Sequence, residues 1–224
     1  MKFYGQFNPP VDKYIYDTFF KKEERKNKGF FIECGAFDGE TECSCKFFEE
    51  TLNWKGINIE PSPVVYEKLI ANRPLATNIN YALSNKHGKA MFTSVVHPEF
   101  GEMCTNGSLH HGYKHKEWLD SIGCKYKQYE VDVITYKELL ERYQFKKIDL
   151  FVLDVEGNEL NVIDSMKGCK VLPEVFCVEH GNLDKEEVRR KVEDLGYRYH
   201  SESFVNSFFV RLNPMQRIIR RIIK

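Results

Sequence analysis

Apolar residues recur along the chain in short blocks, and the spacing inside each block predicts its conformation. Val11, Tyr14, Ile15, Thr18 and Phe19 fall on one helical face. Pro9-Pro10 precede that block and Asp12 sits in its first turn, as helix starts prefer. The charged run Lys21 to Lys28 then reads as a solvated linker. Phe30 to Cys34 is bulky at nearly every position and stops at Gly35, which predicts a buried parallel strand. Gly35 and Gly39 bracket a tight turn, with Thr41 or Ser44 placed to cap a helix pinned by Lys46-Phe47-Phe48 and Leu52. Lys55 to Glu60 is the next strand, stopped by Pro61 and Pro63, and Val64-Val65-Tyr66 with Leu69-Ile70 make the following helix.

Downstream the alternation continues. Ala76 to Ser84 predicts a third strand and Lys89 to Val96 an additional one. His97 to Gly112 carries Pro98, Gly101, Asn106-Gly107 and Gly112, a long loop that suits substrate recognition. A short helix over 114–122, a strand over 126–133 and a helix over 135–143 follow, the last with Thr135 and Glu138 at capping-box positions. Ile148 to Leu153 is the most apolar strand and ends at Asp154. A helix over 159–166, a buried strand over 174–178, an amphipathic helix over 184–195 and an antiparallel edge hairpin (197–203 with 205–212) close the pattern. Alternating α and β units of this kind predict an α/β fold with a mostly parallel twisted sheet and helices on both faces.

Composition narrows the picture. With 224 residues, 42% hydrophobic and 29% charged, the chain can bury one sizeable core and is not a disordered segment. Its 33 basic and 33 acidic side chains cancel, so bulk charge gives no case for a nucleic-acid partner. No apolar run is long enough to span a bilayer, and Met1 to Gly5 lacks a signal-peptide core. Seven cysteines without a Cys-x-x-Cys pair fit neither a disulfide framework nor a zinc site, and point to a reducing cytoplasm.

The glycine turn carries the chemistry. Its spacing is Glu-x-Gly-x-x-x-Gly, from Glu33 through Gly35 to Gly39, and lacks the middle glycine that lets a backbone sit against a pyrophosphate. An acid beside the turn suits a partly cationic, phosphate-free ligand, which S-adenosylmethionine (SAM) is. Glu60 ends the next strand about 20 residues beyond the turn, where a carboxylate accepts from both hydroxyls of a ribose.

Three blocks together resemble the FkbM family of SAM-dependent methyltransferases: Glu33-Cys34-Gly35-Ala36-Phe37-Asp38-Gly39, Trp54-Lys55-Gly56-Ile57-Asn58-Ile59-Glu60-Pro61, and Ile148 to Glu159 with its Asp154-Val155-Glu156-Gly157 turn. Cys43-Ser44-Cys45 departs from the hydroxyl and amide residues expected at the pocket rim. The resemblance spans roughly residues 29–212, leaving 1–28 as a helical extension and 213–224 as a tail. It implies a Rossmann-like fold and a cofactor contacted by Glu33, Gly35, Ala36, Phe37, Asp38, Gly39, Glu60, Pro61, Ala82, Leu83 and Ser84. It also implies a hydroxyl acceptor, commonly a surface-polysaccharide sugar, a glycolipid or a secondary metabolite. Asp154, Glu156 and His180, at strand ends, are the candidate bases. A divalent metal at His110-His111 and His115, or at Asp154 with Glu179, is a lesser reading, and no metal ligand is assigned. The alternatives are a nicotinamide-dependent nucleotide-sugar oxidoreductase or dehydratase, and a non-catalytic SAM- or glycan-binding module.

Two terminal segments have their own readings. Tyr4-Gly5-Gln6-Phe7 is either a lid over the cofactor or a frayed end. Pro214 to Lys224 puts Ile218, Ile219, Ile222 and Ile223 on one stripe among basic residues, and either packs on the domain or makes weak contact with an inner-membrane surface.

Overall fold

The computed structural model describes residues 1–22, 28–181, 183–213 and 215–216. The charged run after Lys22 and the basic tail after Asn213 fall largely outside the described residues. Helix α1 (Val11–Ile15) runs on as a π-helical segment, Tyr16–Phe20, where one α-helix was expected. Buried Asp12 accepts from the N–H groups of Tyr4 (2.7 Å), Gly5 (3.1 Å) and Lys13 (2.9 Å), which draws the N-terminal residues back across the helix.

Among the described residues, seven strands form the main sheet: β1 (Phe30–Cys34), β2 (Lys55–Ile59), β3 (Thr77–Ile79), β7 (Leu150–Leu153), β8 (Val175–Glu179), β9 (Tyr197–Ser203) and β10 (Asn206–Arg211). Their order is β3-β2-β1-β7-β8-β10-β9. The first five run parallel, and β10 lies antiparallel between β8 and β9. The chain leaves β1 toward β2 and β3 and returns on its other side as β7. That switch opens a crevice beyond the carboxyl ends of β1 and β7, the place where open α/β sheets bind ligands.

Between β3 and β7 the chain builds a second, three-stranded sheet: β4 (Ala82–Leu83), β5 (Gly88–Val96) and β6 (Lys125–Ile134), in the order β4-β6-β5. The expected third strand over 76–84 is therefore two strands in different sheets. Asn80 makes the break: its amide donates to the carbonyls of Glu60 (2.8 Å) and Pro61 (3.0 Å), and the backbone turns away from β2.

The helices are α2 (Lys46–Leu52), α3 (Pro63–Asn72), α4 (Tyr113–Ser121), α5 (Tyr136–Tyr143), α6 (Glu159–Ser165) and α7 (Lys185–Asp194). Ser62 caps α3 with Pro63 in its first turn, Asp184 caps α7, and Thr135 with Glu138 closes the expected capping box on α5. The expected cap on α2 is absent. Thr41 bonds Asp38 instead, and the Ser44 and Cys45 N–H groups donate to Glu33 from the strand below (2.6 and 3.0 Å).

Alternate residues of the parallel strands face opposite cores. Ile32, Phe151, Leu153 and Phe176 pack against α5, α6 and α7 through Leu139, Val162 and Val188. Phe31, Leu150, Val152, Cys177 and Phe208 pack against α2 and the N-terminal helix through Phe47, Phe48, Ile15 and Phe20. Each such side chain, fully buried, contributes roughly 1.5–3 kcal/mol, so the strand ends are carried on a stiff base.

Candidate active site

A cavity of about 310 Å³ lies beyond the carboxyl ends of the parallel strands, within the size range of ligand pockets. One wall is the β1 turn. Gly35 has φ +86°, and a Cβ there would meet the Asp154 carbonyl oxygen at 1.6 Å, so only glycine fits between the two strand ends. Phe37, at φ 47°, presents its N–H to Glu60 Oε2 (3.1 Å), while Ser62 N–H donates to Glu60 Oε1 (2.8 Å). Glu60 is 6% exposed, and burial pushes its carboxyl up to about 7. A carboxylate has about four acceptor positions, so two remain for a ligand.

The opposite wall is the turn after β7. Glu156 adopts φ 56° and Gly157 φ +113°, an arrangement held by buried Glu159, which accepts from the N–H groups of Val155 (2.8 Å) and Gly157 (3.0 Å). Strained backbone of this kind persists only where its surroundings enforce it. Asp154, Glu156 and Glu179 all border the cavity. Burial, and then the charge of Glu179 and Glu156, raises Asp154 well above its ordinary range. Burial and the neighbouring Glu179 and Glu159 push Glu156 up to about 8, and Glu179 is pushed up to about 7 by burial and Glu159.

The inserted sheet, the loop over 97–112 and helix α4 supply the roof: Phe92, Ser94, Thr105, Asn106, Leu109, His115 and Trp118. A Cβ on Gly157 would meet the His110 carbonyl at 2.6 Å, so that loop lies close on the acidic turn. Gln6 and Phe7 also border the cavity, and Phe7 stacks on Phe204 with ring centroids 4.4 Å apart.

The structure sorts the expected residues. Gly35, Phe37, Glu60, Pro61, Ala82, Leu83, Asp154 and Glu156 line the cavity. Glu33 does not: it lies behind the turn, 3% exposed, and accepts from Ser44, Cys45, the Cys43 thiol and the Arg73 guanidinium. Its acid secures the turn instead of facing a ligand. Ala36, Asp38, Gly39 and Ser84 also stand off the lining. Asp38 folds back onto Glu40 and Thr41, Gly39 packs on Leu69 and Arg73, and Ser84 N–H donates to the Ile134 carbonyl. His180 is turned away as well, its Nδ1 3.2 Å from the Ser207 hydroxyl. Lining residues given no role in the sequence include Glu42, Ser94 and Trp118, brought in by folding over long separations.

Oxygens of Asp154, Glu159 and Glu179 lie within 4.8 Å of one another, close enough to surround a cation. Glu159 is already spent on the turn, so the cluster is better described as one buried and two half-buried carboxylates whose charge must be met by protons or by a cationic ligand. No helix among the described residues is long and apolar enough to cross a membrane.

A family model described as the methyltransferase FkbM domain matches residues 33–199. Solved structures similar to the chain include methyltransferase FkbM from Methylobacillus flagellatus, at 11% identity and TM-score 0.49, covering 89% of this chain and 50% of that one. The chain thus spans about half of that protein's length. A TehB-like SAM-dependent methyltransferase from Corynebacterium glutamicum has 9% identity and TM-score 0.45, covering 90% of this chain and 88% of that one. Fibrillarin from Aeropyrum pernix, in complex with natively bound SAM, has 9% identity and TM-score 0.47, covering 91% and 74%. No curated protein matches the chain.

Proposed function

Because the chain belongs to the FkbM methyltransferase family, we propose that it carries a methyl group from SAM to a hydroxyl oxygen, on a sugar of a surface polysaccharide or glycolipid or on a secondary metabolite. The observation that carries this reading is the charge of the cavity. Glu42, Glu60, Asp154, Glu156 and Glu179 line it, with no Lys or Arg among the described lining residues. A nicotinamide dinucleotide would bring two anionic phosphates against that wall. SAM brings a sulfonium and an ammonium, which stabilise ionised carboxylates in a partly dry site.

Bound SAM supplies an electrophilic methyl group on a positively charged sulfur. The chain's residues do the rest. Glu60, fixed by two backbone donors, offers its free positions to a ribose diol. Tyr81, Ala82 and Leu83 form an apolar wall for an adenine. The strand-end acids hold the cationic end and include the base for the acceptor hydroxyl. The roof mixes Ser94, Thr105 and Asn106 with the Trp118 ring, a combination that suits the polar edges and apolar face of a sugar. The cysteines, all free thiols, suit a cytoplasmic setting.

Calorimetry with SAM, S-adenosylhomocysteine and NAD, followed by methyl transfer to a panel of methyl glycosides, tests the reading. SAM and its demethylated product should bind and NAD should not. Binding of NAD without SAM would overturn it.

A further inference from the structure

His115, on the inserted helix α4, is 4% exposed and borders the cavity. Its Nε2 lies 2.8 Å from Asn106 Oδ1. Its Nδ1 is buried with no hydrogen-bond partner, and Glu156 Oε2 lies 3.8 Å from it. A polar atom buried without a partner destabilises the fold, so a ring held in this position needs a reason.

Aromatic neighbours pack against the ring on two sides. Trp118 stacks on one side (centroids 5.9 Å, 28° between planes) and His111 meets it edge-on (5.3 Å). His111 is itself tied to the Asn106 carbonyl at 2.6 Å. On the other side, Glu156 is held in its left-handed backbone conformation by the Glu159-braced turn. Helix α4 and the turn after β7, each fixed by its own contacts, thus hold Nδ1 and Oε2 3.8 Å apart.

We propose that Glu156 and His115 form the proton-accepting pair for the acceptor hydroxyl, Glu156 as the catalytic residue that meets the hydroxyl and His115 as the positioning residue behind it. The inference rests on the O-methyl-transfer reading above. With Asn106 Oδ1 at Nε2, that nitrogen donates, and the line from Nδ1 to Oε2 holds a single proton. When that proton sits on the imidazole and the pair closes from 3.8 Å to hydrogen-bond distance, both ring nitrogens are satisfied and Glu156 keeps a free carboxylate oxygen for the hydroxyl. As the acceptor oxygen bonds to the methyl carbon, its O–H bond breaks and the proton passes to Glu156. The carbon–sulfur bond breaks and its electron pair stays on sulfur. The positive charge lost from sulfur reappears on the Glu156–His115 pair, so the charge of the site stays constant through the step, which a low-dielectric cavity favours. Around the pair, Glu42, Asp154, Glu159 and Glu179 face Glu156, and His111 faces His115.

The deciding experiment is a ring-nitrogen NMR titration of ¹⁵N-histidine-labelled full-length protein, as wild type and as Glu156→Gln, alone and with S-adenosylhomocysteine. The expected result is that the His115 midpoint falls by about 1 pH unit or more once Glu156 cannot ionise. An unchanged midpoint would overturn the pair. On any methyl glycoside that the wild type turns over, His115→Gln should lower kcat by roughly 10²-fold and move the acidic limb of its pH profile, with SAM affinity unchanged. The double variant with Glu156→Gln should be no slower than Glu156→Gln alone. A wild-type pH profile in His115→Gln would equally overturn the pair. If His115→Gln does not fold, or if no glycoside reacts, the Glu156→Gln titration decides. Failure of the wild type to bind SAM would defeat the methyl-transfer reading, a result separate from proton sharing between the two side chains.

Discussion

Glu60→Gln should flatten the pH dependence of stability. In the folded chain, burial lifts the Glu60 carboxyl from its ordinary 4.5 to about 7. Each pH unit between the folded and unfolded values is worth about 1.36 kcal/mol, so the difference amounts to about 3 kcal/mol. The sign follows from which state holds the proton more tightly. An acid with a raised folded-state value binds its proton better when folded, so its contribution is fully present below about pH 4.5 and is lost as the pH climbs through about 7. Urea unfolding of the SAM-free protein at pH 5 and pH 8 should therefore show a loss on raising the pH, and the loss should be about 3 kcal/mol smaller in Glu60→Gln. Thermal midpoints would register that difference as roughly 6–12 °C for a chain of this size. The amide keeps only one acceptor oxygen, so Phe37 or Ser62 loses part of its bond. That cost, about 1–3 kcal/mol, is the same at both pH values and separates cleanly from the slope. Parallel stability–pH curves for the two proteins would refute the reasoning.

Gly35→Ala should lower stability by more than about 3 kcal/mol in urea unfolding, because the new methyl group meets the Asp154 carbonyl oxygen and the φ of +86° is strained for alanine. Asp154→Asn should leave the thermal midpoint near wild type or above it, since burial penalises the ionised acid and the amide carries no charge, while methyl transfer should fall by roughly 10²–10⁴-fold. Sedimentation with anionic vesicles at low salt should be weaker for a chain ending at Asn213 than for the full chain, and equal sedimentation would remove the membrane reading of the tail.

What could be read from the sequence was local in origin. The α/β alternation, the capping box of Thr135 and Glu138, the proline-started helix after Ser62 and the closing hairpin each rest on neighbours within a few positions. The position of Glu60 followed from the strand that ends at Ile59. The misreadings came from partners far along the chain. Glu33 looked ligand-facing because it adjoins the glycine turn, but Arg73 lies 40 residues away and pulls its carboxylate behind the turn. The strand over 76–84 read as one because nothing local shows Asn80 reaching back to Glu60 and Pro61. His115 and Glu156 meet only because the inserted sheet folds over the main one.

The same long-range packing explains how so many acids can share one cavity. Left to itself, a group of buried carboxylates would separate, take up protons or draw in water. Here each acid is fixed by a different support. Two backbone donors hold Glu60, the chain at Gly35 closes against Asp154, and Glu159 braces the turn that carries Glu156. Glu179 accepts from Gly181 N–H at 2.8 Å. Those supports stand on strands whose two faces are filled by separate apolar cores, so relaxation would have to disrupt Phe31, Phe151 or Phe176. Burial favours the protonated forms of these acids in the SAM-free protein. A cationic ligand that displaces those protons gains electrostatic stabilisation that a neutral or anionic one does not. Cofactor binding and proton release are then one linked process, and the affinity for SAM should rise between about pH 6 and pH 8, as Glu60, Glu156 and Glu179 give up their protons. Calorimetry across that range, in two buffers of different ionisation enthalpy, would register the released protons directly, and an affinity that does not change with pH would break the link.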